Sequence, residues 1–227
     1  MKPALLRPAL LAASVAICGL FLSPQTQAAT LVPGSPPTPP DTLPSISGTF
    51  LASLTAPFAT ATLNGTVTSE VIRANTGFLD FVIQLSNGTG QAIEKITSGV
   101  FDGFTVDAGF ILPGGTASGF PPLTSPLTGG AAPATVDENI NTVVGFNFPG
   151  NAAILAGQTT DILFILTNAT NFTAGTIGLI DSTTATLPGF QPLAAVPLPG
   201  GLVLFGSGLA GLGLLARRRK RQAIATA

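Results

Sequence analysis

Apolar and polar residues alternate along most of the middle of the chain, in short runs that end at turn-forming residues. In residues 78–85 every second side chain is large and apolar, so one face of an extended segment holds Leu79, Phe81, Ile83 and Leu85. A period of two is typical of a strand with one buried face. The same pattern predicts strands at 63–72, 104–110, 143–148 and 161–166. Residues 162–166 are apolar at every position, which is typical of a central strand in a packed sheet.

Turn signals lie between these runs and indicate the fold class. Turns are expected at Asn64/Gly65, Asn87/Gly88, Pro113/Gly114/Gly115, Pro149/Gly150 and Pro188/Gly189. Many short strands at this spacing predict an all-β domain, an antiparallel β-sandwich over residues 48–193. Residues 114–133 are rich in proline and glycine and are expected to form a long surface loop. A short helix at 91–97 is an alternative that no other signal supports.

The N-terminal residues 1–28 have the pattern of an export signal. Basic Lys2 and Arg7 precede the apolar residues 9–22, and Thr26, Gln27 and Ala28 place small side chains at a cleavage site. The alternative is a permanent anchor, but the apolar run of about 14 residues is shorter than the roughly 20 needed to cross a bilayer. We therefore expect cleavage after Ala28.

Proline dominates the segment that follows, residues 29–47. Proline blocks helix formation and favours extended polyproline II. We interpret this segment as a stiff linker that holds the domain away from whatever precedes it. Recognition by a proline-binding partner is the alternative.

The C-terminal residues 194–227 combine an apolar span with a basic cluster. Residues 200–216 carry no charge and would be about 25 Å long as a helix, which predicts one transmembrane helix. A stop-transfer cluster follows, made of Arg217, Arg218, Arg219, Lys220 and Arg221.

Charge and composition exclude several function classes. Between the two ends, ten acidic residues face only Arg73 and Lys95, so the central domain carries a net charge of −8 and is unsuited to nucleic acid. The chain has no His, and its one Cys, Cys18, lies in the export signal. Histidine chemistry, cysteine nucleophiles and Cys/His zinc sites are therefore excluded from the mature domain, and we expect no catalytic residue, metal or cofactor.

The acidic residues are the remaining candidates for chemistry. Asp102 and Asp107 flank a predicted strand, and Asp137 and Glu138 lie in a predicted loop, so either pair is a candidate calcium ligand. Neither has the dense spacing of a known calcium loop, and solvated surface charge is the preferred interpretation. Four Asn-x-Thr triplets are further candidates for glycosylation, at Asn64, Asn87, Asn168 and Asn171, although the first two also fit tight turns.

Immediately before the apolar span stand Val196, Pro197, Leu198, Pro199 and Gly200. Together, this proline motif, the glycine-rich span and the arginine cluster resemble the PEP-CTERM sorting signal of Gram-negative bacteria, in its VPLPA-type variant. Gly200 stands where that variant usually has Ala. The resemblance implies recognition by an exosortase, a membrane-embedded transpeptidase. It also implies transient anchoring in the inner membrane and then delivery to the cell surface or an exopolysaccharide matrix. A plain single-pass anchor is the alternative.

The sequence therefore predicts an exported envelope or matrix protein with a non-enzymatic adhesive or exopolysaccharide-associated role. A secreted glycan- or calcium-binding module is the second hypothesis, and a carboxylate-based hydrolase is the third.

Overall fold

The structure, a computed structural model, describes residues 30–119, 121–181, 183–193 and Phe205. Within these residues the chain forms β-strands joined by turns and one short 3₁₀ helix, Gly150–Ala152. The strands are β1 (Asp41–Leu43), β2 (Thr49–Ala59), β3 (Asn64–Arg73), β4 (Leu79–Asn87), β5 (Lys95–Ser98), β6 (Val106–Ile111), β7 (Thr116–Ala117), β8 (Leu123–Thr124), β9 (Thr135–Glu138), β10 (Val144–Asn147), β11 (Leu163–Thr167), β12 (Phe172–Ile180) and β13 (Thr184–Pro192).

Two main sheets contain most of these strands. Sheet one has the order β1-β6-β11-β4-β3-β2, and sheet two has the order β13-β12-β5-β10-β9. Neighbouring strands are antiparallel except for β1, which pairs with β6 in parallel. The predicted all-β class is confirmed; sheet two is antiparallel as expected, and sheet one is mixed through its one parallel pair. β7 and β8 form a separate two-stranded hairpin.

The main core lies between the two sheets. Phe81 and Ile165 of sheet one meet Phe146 and Leu179 of sheet two in one cluster, and all four are essentially inaccessible to solvent. Phe81 also packs edge-to-face on Phe101, with ring centroids 5.6 Å apart. Each such side chain stabilises the fold by about 1.5–3 kcal/mol relative to exposure.

A second apolar cluster lies on the outer face of sheet one, the face that points away from sheet two. It contains Ile46, Ile72, Val82, Ile111, Ala117, Ile162 and Phe164. The hairpin of β7 and β8, here called the covering hairpin, buries this face. The Ser125 hydroxyl anchors it, donating to Ile111 O and accepting from Ile162 N, both at 2.9 Å. The predicted surface loop at 114–133 is therefore wrong in part, because this segment closes a second core.

Residues 30–47, here called the strap, lie along one side of the domain. Thr38 exchanges two backbone hydrogen bonds with Val136 and so covers the edge of sheet two at β9. The strap then crosses to sheet one, where β1 pairs with β6. Leu31 is buried in the main core and Ile46 in the second. The segment is thus extended as its prolines predict, but it packs on the domain and does not hold it at a distance.

The predicted strands at 63–72, 78–85, 104–110, 143–148 and 161–166 are confirmed as β3, β4, β6, β10 and β11 within a few residues at their ends. Two predicted turns are wrong, and the alternative of a short helix at 91–97 is not observed. Asn64 and Gly65 are paired residues of β3, since the turn before it spans 60–63. Pro188 and Gly189 lie inside β13, where an edge strand accommodates a residue without an N–H. Residues 91–94 form no helix, and residues 95–97 belong to β5.

The ring of Phe164 is buried in the second core, on the outer face of sheet one, and this burial can be tested by mutation. We expect Phe164→Ala to lower the free energy of unfolding by about 3–5 kcal/mol, because it leaves a cavity beneath the covering hairpin. The matched control is Leu127→Ala, at a side chain that is 80% exposed, with an expected change within about 0.5 kcal/mol. Urea denaturation measures both. Equal small effects would mean that the outer face is not a core.

Candidate functional site

Carboxylic acids surround the second core on the outer face of sheet one. Asp80 of β4, Leu166 of β11 and Asp107 of β6 lie side by side across three neighbouring strands. Asp41 of β1 lies opposite Gly109, and its carboxyl group reaches the Asp107 carboxyl. Strand pairing therefore brings together acids that are far apart in the chain. No motif marks them, and only the placement of the strap reveals the Asp41–Asp107 pair.

Three neighbouring depressions form a groove along this face, and Leu166 lines all of them. One of about 110 Å³ contains the Asp41–Asp107 pair together with Phe164. A second of about 160 Å³ shares Asp107. The third, of about 320 Å³, contains Asp80 and the half-exposed ring of Phe78. The strap contributes a wall to each depression, and none of the described residues that line them is basic.

The Asp41–Asp107 pair is electrostatically strained at neutral pH. Burial, the hydrogen bond to the Asp41 carboxyl and repulsion by that carboxyl together raise the pKa of Asp107 to about 7, and the Ala108 backbone amide opposes this less strongly. A hydrogen bond between two carboxyl groups requires a proton on one of them. Asp107 is therefore protonated more readily than an ordinary Asp beside Asp41, because like charges in close contact do not both ionise readily.

Asp80 is perturbed by burial alone. Its side chain is nearly inaccessible, and desolvation raises its pKa to about 6. Burial likewise raises the pKa values of Glu70 and Asp161. Glu70 lies beneath the covering hairpin, with its carboxylate against Gly119, where no Cβ would fit. The raised pKa values of Glu70 and Asp80 are thus consequences of covering the outer face of sheet one with the covering hairpin and the strap.

A second constellation lies on sheet two, around Lys95. Its ammonium group binds both Asp137 carboxylate oxygens, at 3.0 and 3.2 Å, and Asn147 Nδ2 donates to the same carboxylate. The Lys95 side chain passes directly over Gly145, which leaves room for it. Because these groups join β5, β10 and β9, the cluster has the role of a cross-strand tie. Asp137 and Glu138 lie in β9 and not in the predicted loop.

The candidate calcium ligands do not form a site. Asp102 is exposed, Asp107 faces Asp41, and Asp137 is bound to Lys95. Among the described residues, no group of three or more acidic or other metal-ligating side chains is placed to hold a metal ion. Of the glycosylation candidates, Asn87 is buried and its amide donates to Gln91 O and Ile154 O, so this triplet is inaccessible in the folded domain.

The predicted targeting sites lie outside the described residues. These are the cleavage site at Ala28, the sorting motif at 196–200, the stop-transfer cluster at 217–221 and all of the span 200–216 except Phe205. In the part of the chain that is described, no helix is long and apolar enough to cross a membrane.

Comparison with known proteins gives no relative: no family model, curated protein or solved structure matches this chain.

The raised acid pKa values predict that the domain is more stable in mild acid than at pH 8. An unfolded Asp ionises near its model value of 3.8, whereas folded Asp80 and Asp107 hold a proton to about pH 6 and 7. Their stabilising contribution is therefore full below pH 4 and is lost as pH rises through 6–7. For Asp80 this is on the order of 2–3 kcal/mol.

Urea denaturation at pH 5 and pH 8 checks this expectation. The wild type should unfold at lower urea at pH 8, and Asp80→Asn should reduce that difference, since an amide carries no charge at either pH. Asp102→Asn, at an exposed acid, is the control and should leave the difference unchanged. A wild-type domain that is more stable at pH 8 than at pH 5 would contradict the raised pKa values of the buried acids.

Proposed function

We propose that this chain is an exported envelope or extracellular-matrix protein of a Gram-negative bacterium, sorted through a C-terminal exosortase signal. Its all-β domain, an ectodomain of β-sandwich type, has a non-enzymatic adhesive or exopolysaccharide-associated role. One transmembrane helix at 200–216 anchors the protein transiently in the inner membrane before processing. The observation that carries the proposal is the ordered tail, a proline motif followed by an uncharged span and five basic residues.

The limits of the folded domain support this organisation. At one end, Leu31 is buried in the main core and its N–H donates to Val106 O at 2.7 Å, three residues after the predicted cleavage site at Ala28. At the other end β13 closes on β12 as far as Pro192, and Leu193 N donates to Asn171 O at 2.9 Å. The sorting motif begins at Val196. Removal of both predicted signals would therefore leave every described strand intact.

The arrangement of the acids favours a non-enzymatic role over a glycoside hydrolase. Glycoside hydrolysis by two carboxyl groups needs a separation of about 5 Å or more, so that a sugar or a water lies between them. Asp41 and Asp107 instead lie close enough for the Asp41 carboxyl to raise the pKa of Asp107 directly. Lys95 neutralises Asp137, and burial favours the uncharged form of Asp80.

Mass spectrometry of the exported protein tests the two processing steps together. We expect an N-terminus at Ala29, because Ala28 occupies the position before the cleaved bond, and a C-terminus that lacks the basic cluster at 217–221. Retention of residues 217–227 on the surface-located protein would refute C-terminal processing and favour a plain anchor.

A proline substitution separates the sorting motif from the apolar span. The double variant Pro197→Ala/Pro199→Ala keeps the span and the arginines, so a plain membrane anchor would localise as before. If the motif is recognised, we expect at least a tenfold loss of processed protein from the surface or matrix fraction, measured by quantitative immunoblot. Pro188→Ala is the matched control, since Pro188 is an exposed edge-strand residue of the domain. Equal processing of both variants would overturn the proposal.

A further inference from the structure

The strap is anchored by buried side chains at its two ends, and its middle is held by a short edge strand whose last residue, Leu43, accepts a hydrogen bond from Leu112 N. Leu31 and Ile46 are buried anchors, and Thr38 is bound to Val136 through two backbone hydrogen bonds. Ile46 is bound in the same way to the covering hairpin, through Thr116 O and Ser118 N. Between Thr38 and Ile46 stands the three-residue strand β1, at the edge of sheet one. A strand of this length with one neighbour adds little stability by itself.

The Asp41–Asp107 contact lies at the start of this middle segment. Asp41 is the first residue of β1, and Asp107 is on β6, the only main-sheet strand that β1 pairs with. With one proton between them, the two carboxyl groups tie strap to sheet through a hydrogen bond. With both ionised, the same two groups repel at short range in a partly desolvated cavity.

We propose that the Asp41–Asp107 pair is a proton-dependent clasp, which holds the middle of the strap on sheet one when protonated and releases it when both carboxyls ionise. Release concerns residues 39–45, between the Thr38 and Ile46 anchors. It uncovers the edge of β6 and the side chains of Phe164 and Leu166 that line the cavity under β1. The proposal is independent of the sorting tail.

The surrounding charges do not offset this repulsion. The cavity is lined by Pro40, Asp41, Thr42, Leu43, Asp107, Phe164 and Leu166, so the pair supplies all the charge among these residues. The depression on the other side of Asp107 adds Thr30, Thr105, Val106 and Thr167, none of which is charged. Beyond Leu166 the next titratable group is Asp80, another acid.

Both basic residues of the described domain are engaged elsewhere. Arg73 donates to Thr170 O, and Lys95 is bound to Asp137 on sheet two. The pKa of Asp107, raised to about 7, places the transition near neutral pH.

Hydrogen exchange of the exported protein at pH 5 and pH 8.5 tests the clasp, with rates expressed as protection factors to remove the intrinsic pH effect. We expect peptides covering 39–45 and 109–112 to lose at least tenfold in protection at pH 8.5. Peptides of the central strand β4 should keep theirs, which separates local release from global destabilisation. Equal protection of 39–45 at the two pH values would overturn the proposal.

The isosteric double variant Asp41→Asn/Asp107→Asn keeps a side-chain hydrogen bond without charge. It should hold 39–45 equally protected at both pH values, whereas Asp102→Asn should behave as the wild type. Persistence of the pH effect in the Asn variant would assign it to other groups and refute the clasp.

An engineered disulfide provides a second, independent test of the Asp41–Asp107 contact. Because the described domain contains no cysteine, Asp41→Cys/Asp107→Cys creates a single possible intramolecular bridge. When oxidised, this variant should keep 39–45 protected at pH 8.5, where the wild type loses protection. Opening of 39–45 in the oxidised form at pH 8.5 would show that attachment at these two positions does not hold the segment and would overturn the proposal.

Discussion

The burial of sheet one on both faces is the constraint on which the rest of the structure depends. Its central strand β11 carries Leu163 and Ile165 on one face and Phe164 on the other, so neither face can be left in water. Sheet two covers the inner face. The outer face has no third main sheet among the described residues, and the two-stranded covering hairpin and the strap bury it instead. The proline-rich segments of this chain therefore have a structural role, because they complete a layer that regular strands do not supply.

This cover has an electrostatic consequence. The outer face carries Asp41, Glu70, Asp80 and Asp107, and the elements that exclude water from Phe164 also exclude it from these carboxyls. The two basic residues among the ten acids of this domain, Arg73 and Lys95, are bound elsewhere, so protonation is what lowers the cost of burying these carboxyls. Apolar burial and acid titration are thus coupled, and the folded domain is most stable where the pH is low enough to keep these acids uncharged.

The sequence predicted some elements well and others poorly, for identifiable reasons. Strands β4 and β11 were found because large apolar residues recur at the period that the pleat requires. The long paired strands β12 and β13 were not predicted. Gly175, Thr176 and Gly178 interrupt the alternation of apolar and polar residues in β12, and Pro188/Gly189 in β13 has the sequence of a turn. Asn64/Gly65 misled in the same way, since its favourable turn chemistry competes with strand pairing to Phe58 and Ala59. Local signals of this kind are overridden when cross-strand burial stabilises the extended form.

The sequence by itself determined the all-β class, the double-sided burial of β11 and the absence of histidine and cysteine chemistry, because these follow from periodicity and residue type alone. It also contains the signals at its two ends on which the proposed sorting rests. Only the tertiary structure decided that the strap packs on the domain, that residues 114–133 close a second core, and that Asp41 meets Asp107. These are contacts between segments distant in the chain, and they depend on strand order and register, which local patterns do not encode.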